Sequence, residues 1–143
     1  MQTSSIAGSV VVVGAGLMGT GIAHAFATAG HAVRLVDISP GALDAATGSI
    51  RKILADGVRL SKLTEADARA ASERVATSVD LAGCLSARDI GLMVETVIES
   101  MTVKKDIVRE ADRLLPDEAV IATNTSALSV TEIASAATRA DRV

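Results

Sequence analysis

The 143-residue chain contains neither tryptophan nor tyrosine and only one phenylalanine. Proteins that hold single-stranded nucleic acid stack bases on aromatic rings, and this chain has no such platform. A basic surface is missing too. Fourteen lysines and arginines against 17 aspartates and glutamates leave a formal charge of -3, which gives a phosphate backbone little to hold. Cys84 is the only cysteine, so an intrachain disulfide and a thiolate metal cluster are both excluded, and no metal is expected. Met1 to Ser9 lack the basic-then-apolar order of a secretory signal, and no apolar run approaches the roughly 20 residues that cross a bilayer. The expectation is a cytoplasmic protein with neither nucleic-acid nor membrane partners. Apolar residues make up 49% of the chain, enough for one domain, 1–143, with its own core.

The stretch around which the chain is organised is Val10-Val11-Val12-Val13-Gly14-Ala15-Gly16-Leu17-Met18-Gly19, an apolar run that breaks into glycines spaced G-x-G-x-x-G. It reads as a buried strand, a tight turn and the first turn of a helix. Gly14 lets the chain leave the strand through angles that a Cβ would block. A pyrophosphate can approach the backbone at Gly16, and Gly19 lets helix and strand pack closely. Amides that open a helix lack intrahelical acceptors and sit at the positive end of its dipole, which suits an anion.

Alone, the spacing is a weak sign, and the residues after Gly19 strengthen it. Thr20 to Ala29 suits a helix that stops at Gly30, and Ala32-Val33-Arg34-Leu35-Val36 reads as a second strand ending in Asp37. An acid about 20 residues past the glycines, at the end of the second strand, grips an adenosine ribose. A 2′-phosphate there would meet like charge, and no Arg or Lys directly follows Asp37 to offset it. The predicted ligand is therefore NAD rather than NADP.

Further on, Ser39-Pro40 is a helix start, and Leu43, Ala46, Ile50, Ile53 and Leu54 follow with helical period up to Gly57, which ends or interrupts the helix. Thr64-Glu65-Ala66-Asp67 opens a second helix through about Arg74. This two-helix insertion after the second strand is either a packing device or a substrate-facing arm, and its mixed charges favour packing. Val75-Ala76-Thr77 suits a short third strand, and Asp80 to Ala87 a loop with a helical turn. Ile90-Gly91-Leu92-Met93-Val94 has the continuous apolar character of a buried parallel strand and ends at Glu95.

Thr102 to Leu115 reads as a helix with Val103, Ile107, Ala111 and Leu114 on its inner face, stopped by Pro116. Ala119-Val120-Ile121-Ala122 is the next strand, followed by Asn124-Thr125-Ser126 and a capping box at Ser129-Val130-Thr131-Glu132. The alternation predicts an α/β fold, a Rossmann-type doubly wound parallel sheet.

Carboxyl ends of strands face the ligand crevice in such sheets, which brings Glu95, Glu99, Asn124, Thr125 and Ser126 to the rim that holds the glycine turn. Asn and Ser there either meet a ligand or only shape the turn. Lys104 either reaches back over the rim or faces solvent, as exposed helical lysines do. Dehydrogenation of an alcohol needs a general base, most often His. His31 lies at the far end of the second strand and His24 more than a turn inside the first helix, so both read as structural or surface residues.

With the glycine turn, Asp37, Val94-Glu95-Thr96-Val97-Ile98-Glu99 and Asn124-Thr125-Ser126 in this order, the chain resembles the NAD-binding domain of the 3-hydroxyacyl-CoA dehydrogenases from about Val10 to Val143. The resemblance implies oxidation of (3S)-3-hydroxyacyl-CoA to 3-oxoacyl-CoA with NAD. By it, Gly14, Ala15, Gly16, Leu17, Met18 and Gly19 line the cofactor, as do Asp37, Val97, Ile98, Glu99 and Lys104. Ser126 lies near both nicotinamide and the substrate oxygen.

The family's catalytic histidine, its acidic partner and the helical domain that completes the acyl-CoA site and the homodimer match no part of this sequence, so the chain is expected to be inactive alone. Ala127, Thr96 and Gly91 stand where serine, alanine and aspartate are common in the family. Alternatives are a stand-alone NAD-binding or regulatory module, and a dehydrogenase for a carrier-protein-bound acyl group or another hydroxy acid. The Asn124-Thr125-Ser126 segment counts against another hydroxy acid of the hydroxyisobutyrate type.

Overall fold

The computed structural model describes residues 6–143; the first five residues, part of the stretch read above as lacking a secretory signal, lie outside the described residues. Five strands form in chain order: β1 (Ser9–Val13), β2 (Val33–Val36), β3 (Val75–Ser78), β4 (Ile90–Glu95) and β5 (Val120–Thr123). All pair in parallel, in the spatial order β3-β2-β1-β4-β5. This is the doubly wound sheet expected from the alternation. The order reverses between β1 and β4, and at such a switch point a crevice opens beyond the carboxyl ends of the strands.

Helices α1 (Leu17–Thr28), α2 (Pro40–Arg59), α3 (Glu65–Glu73), α4 (Leu81–Leu85), α5 (Met101–Leu114) and α6 (Val130–Ala134) cover the two faces. The period-2 alternation of β1 divides the core between them. Val10 and Val12 pack with α1 and with Leu43, Ile50 and Leu54 of α2 and Ala71 of α3. Val11 and Val13 pack with Leu85 of α4, Val108 and Ala111 of α5 and Ile133 of α6. Burying a large aliphatic side chain contributes about 1.5–3 kcal/mol, so the inner residues of the α2–α3 insertion are part of the core, as the packing reading required. Among the described residues no helix is long and apolar enough to cross a membrane.

Among the described residues, side chains cap five of the six α-helices. Oxygens of Ser39, Thr64, Asp80, Ser100 and Ser129 accept from the backbone of Ala42, Asp67, Gly83, Val103 and Glu132. Satisfying these orphan amides is worth about 1 kcal/mol each. Helix α1 is the exception: its N-cap is Gly16, with no side-chain bond.

Two local expectations fail. Gly57 neither ends nor breaks α2, which runs to Arg59; the turn after the helix folds back so that Leu63 lies against the hydrogen side of Gly57 and its amide bonds the Gly57 carbonyl at 3.2 Å. On α5 the buried residues are Lys104, Val108 and Ala111, with Leu115 just beyond; Val103, Ile107 and Leu114 flank that stripe. The apolar periodicity misplaces the inner face because a lysine occupies a position where the pattern calls for an apolar residue.

The chain's last turn is tied to α5 through Arg142 and Asp112, whose side chains are 6% and 7% exposed and 3.2 Å apart. Arg142 also donates to the carbonyls of Pro116 and Asp112, and Thr138 donates twice to the Asp112 carboxylate. Burial works to raise the Asp112 carboxyl, but the two Thr138 bonds and then the Arg142 bond and charge outweigh it and hold it below the ordinary Asp value. A depressed carboxyl contributes stability that is present above its unfolded value and lost as pH falls through the folded one. Urea midpoints should therefore fall more steeply between about pH 4 and pH 2 in the wild type than in Asp112→Asn; parallel pH dependences would contradict this.

Candidate functional site

The carboxyl end of β1 carries the glycine turn. Gly14 has φ +104, a backbone conformation that L side chains rarely adopt. Its amide still extends the sheet ladder, donating to the Val36 carbonyl at 2.7 Å. A Cβ built on Gly19 would collide with the Gly14 carbonyl oxygen, and one on Gly14 or Gly19 would lie 2.7 Å from Thr96 Oγ1. Helix and strand therefore pack backbone against backbone. At Gly16 the opposite holds: nothing lies within 4 Å of where a Cβ would be. Gly16 thus faces open space, directly before the one α-helix among the described residues whose opening amides no side chain caps.

Asp37 follows β2 and is half-buried. Its Oδ2 accepts from the Ala15 amide at 2.8 Å and its Oδ1 from the Ser39 amide at 2.9 Å. The first bond ties the acid to the glycine turn across 22 residues of sequence. Each carboxylate oxygen keeps further lone pairs, so Asp37 can still accept from a ligand hydroxyl.

Around this turn lie Leu17, Met18, Ile38 and Ile98, which are 91%, 52%, 95% and 71% exposed. Large apolar side chains held open at one rim, beside an uncapped helix start, suit a ligand with flat apolar bodies and a central anion. The fit to a dinucleotide rests on these features: the open space at Gly16, free amides behind it, an acid bonded to the turn, and an apolar border.

Thr96 follows β4, and the sequence alone assigns it no role. Its hydroxyl, 2.9 Å from the Val13 carbonyl and 3.1 Å from the Gly14 carbonyl, fixes the turn from the β4 side. The bonding partners are more than 80 residues apart, so no local pattern announces them.

The β4–β5 side is held by charge. Lys104 is not the solvent-facing helical lysine: it and Glu95 are both 0% exposed. The ammonium lies 2.8 and 2.9 Å from Glu95 Oε1 and Oε2, 3.2 Å from the Asn124 carbonyl and 3.4 Å from the Val97 carbonyl. Its three hydrogens are engaged by these acceptors, which sets it behind the rim rather than on it. Glu95 accepts in addition from the Val97 amide and the Thr123 hydroxyl, both at 2.6 Å. The outer carboxylate, Glu99, lies 3.6 Å from the ammonium and accepts from Thr125 Oγ1 at 2.7 Å. Thr125 Oγ1 in turn accepts from the Leu128 amide at 3.1 Å, which folds the loop that presents exposed Ser126.

Thus Gly14 to Gly19, Asp37, Val97, Ile98, Glu99 and Ser126 all follow strand ends on one side of the sheet, with Lys104 beneath them. The histidines do not join them. His24 lies 3.5 Å from Thr28 Oγ1 along α1, and His31, before β2, sits edge-on to Phe26 with ring centroids 5.7 Å apart. Among the described residues no cluster suited to a metal ion occurs.

Comparison with known proteins gives the family of this fold. A model of the family described as "3-hydroxyacyl-CoA dehydrogenase, NAD binding domain" matches residues 9–143. The "Probable 3-hydroxybutyryl-CoA dehydrogenase" of Bacillus subtilis is 35% identical over 134 residues, 94% of this chain and 46% of that protein. The human "Hydroxyacyl-coenzyme A dehydrogenase, mitochondrial" is 36% identical over 93% of this chain and 43% of its own length. The crystal structure of M. tuberculosis FadB2 superposes with a TM-score of 0.89 at 36% identity, over 97% of this chain and 48% of that one. The chain spans about half the length of such relatives.

The two glycines separate fold from ligand contact. Gly19→Ala is expected to cost about 3 kcal/mol of stability, from forced backbone displacement. Gly16→Ala, with open space and an ordinary φ of -75, should cost no more than about 1 kcal/mol of stability, the N-cap preference of Gly over Ala, while weakening NADH binding at least tenfold, by calorimetry. Equal losses of stability in the two variants would contradict the assignment.

Proposed function

Because the chain belongs to the 3-hydroxyacyl-CoA dehydrogenase family, as that family's NAD-binding domain, we propose that it serves the NAD-dependent oxidation of (3S)-3-hydroxyacyl-CoA to 3-oxoacyl-CoA by supplying the half that holds the oxidant. The observation that carries this is the open, uncapped start of α1 at Gly16, with Asp37 bonded to the same turn. In this reading the opening amides of α1, after Gly16, hold the pyrophosphate. Asp37 accepts from the adenosine ribose hydroxyls and repels a 2′-phosphate. Leu17, Met18 and Ile98 cover apolar faces of the ligand, Val97 and Glu99 shape the second half of the rim, and Ser126 orients the substrate oxygen.

Bound NAD supplies the hydride acceptor. The proton of the substrate hydroxyl needs a base, and neither His24 nor His31 stands at the rim. In this reading the base, and the helical domain that closes the acyl-CoA site and pairs two subunits, are not supplied by these 143 residues, which match about half the length of the relatives. An acyl-CoA substrate is supported by the names of those relatives. A cytoplasmic location is the further proposal, drawn from the single cysteine and weighed against relatives named as mitochondrial.

Calorimetric titration tests the cofactor part. The wild type should bind NADH with a clear preference over NADPH, and Asp37→Ala should lose about tenfold in NADH affinity and most of the preference. Equal affinities in the wild type would overturn the role of Asp37. For the division of labour, the 143-residue chain mixed with NAD and 3-hydroxybutyryl-CoA should form no NADH, and robust turnover would refute it.

A further inference from the structure

We propose that Met18 is a modification site, a thioether whose oxidation by a peroxide weakens cofactor binding at the start of α1. The inference rests on the NAD reading above. It adds a means of control to that reading, and a reversible one, because methionine sulfoxide is returned to methionine by dedicated reductases.

Three methionines fall among the described residues, and their surroundings differ. Met93, within β4, is 0% exposed, and Met101, which opens α5, is half-buried. Met18 is 52% exposed and is part of neither half of the core. A dissolved oxidant therefore reaches the sulfur of Met18 first. Its position gives that oxidation a consequence, since Met18 is the second residue of α1, directly behind the uncapped start at Gly16.

In the step itself a lone pair of the sulfur attacks one oxygen of hydrogen peroxide and the O–O bond breaks. An S–O bond forms and sulfur gives up two electrons. The departing hydroxide takes the proton of the transferred oxygen and leaves as one water. Methionine thereby changes from a flexible apolar side chain to a polar one. Side chains on a helix lean back toward its amino end, which turns the new oxygen toward the opening amides of α1, where Gly16 supplies no capping oxygen. The sulfoxide oxygen carries partial negative charge and accepts hydrogen bonds. It competes for the donors assigned to the pyrophosphate and repels that group's like charge. Leu17, 91% exposed beside it, is as open to solvent but has no atom to oxidise.

For the test, the chain is treated with hydrogen peroxide, freed of it, mapped by peptide mass spectrometry and titrated calorimetrically with NADH. Met18 should gain one oxygen before Met93 and Met101, and NADH affinity should fall at least about tenfold as that site fills. Saturating NAD during the treatment should protect Met18, and a methionine sulfoxide reductase should restore the affinity. Met18→Leu, compared only with its own untreated form, should show no loss on treatment. Full oxidation of Met18 with unchanged affinity, equal losses in wild type and Met18→Leu, earlier oxidation of Met93 or Met101, or no protection by NAD would each overturn the proposal. An untreated wild type that bound no NADH would instead overturn the NAD reading itself.

Discussion

Between the end of β1 and the start of α1 there is no room for a methyl group, and the site is built outward from that contact. The Gly14 carbonyl occupies the space a Gly19 side chain would need, and the Thr96 hydroxyl fills what remains. Helix α1 starts directly after its N-cap Gly16, without a capping side chain, although each of the other five described α-helices has one. Its first amides are left for a ligand because the cap residue has no side chain to accept from them. The Asp37 bond to the Ala15 amide then places a carboxylate beside those amides, so anion binding and ribose recognition arise from one turn.

The other half of the rim is organised by different physics. There the chain places a full ion pair out of solvent, at an energetic cost, and uses it to direct backbone groups of two loops. Steric exclusion among glycines needs no charge and tolerates no substitution at Gly19. The charged arrangement depends on every bond being satisfied. Both halves stand on a sheet whose central strand, β1, is buried on both faces, and the crevice lies where the strand order turns at β1 and β4.

Much of this is legible in the sequence, because backbone constraints leave local marks. The glycine spacing, the acid at the end of β2, the Ser39-Pro40 start and the proline after α5 each act over a few residues, and each lies where expected. The inner face of α5 reads one residue out of place, since Lys104 breaks the apolar stripe formed with Val108, Ala111 and Leu115. An acid at the end of an apolar strand, Glu95, followed nine residues later by a lysine at stripe spacing, is the available signal. Thr96 and Thr123 have none, because their partners lie 82 or 83 residues and 28 residues away in sequence, and only the fold brings them together. Gly57 has the local character of a helix breaker, whereas in the fold its lack of a side chain admits Leu63.

Whether NAD lies on the carboxyl rim of the sheet, over the turn that joins β1 to α1, is tested most directly by backbone amide chemical shifts. The isotope-labelled chain is followed through an NADH titration. The expected result is that the largest shifts fall at Gly14 to Gly19, Asp37, Ile98, Glu99 and Ser126. Shifts concentrated instead at the opposite end of the sheet, around Gly8, Asp89 and Gly91, or no shifts at saturating NADH, would contradict it.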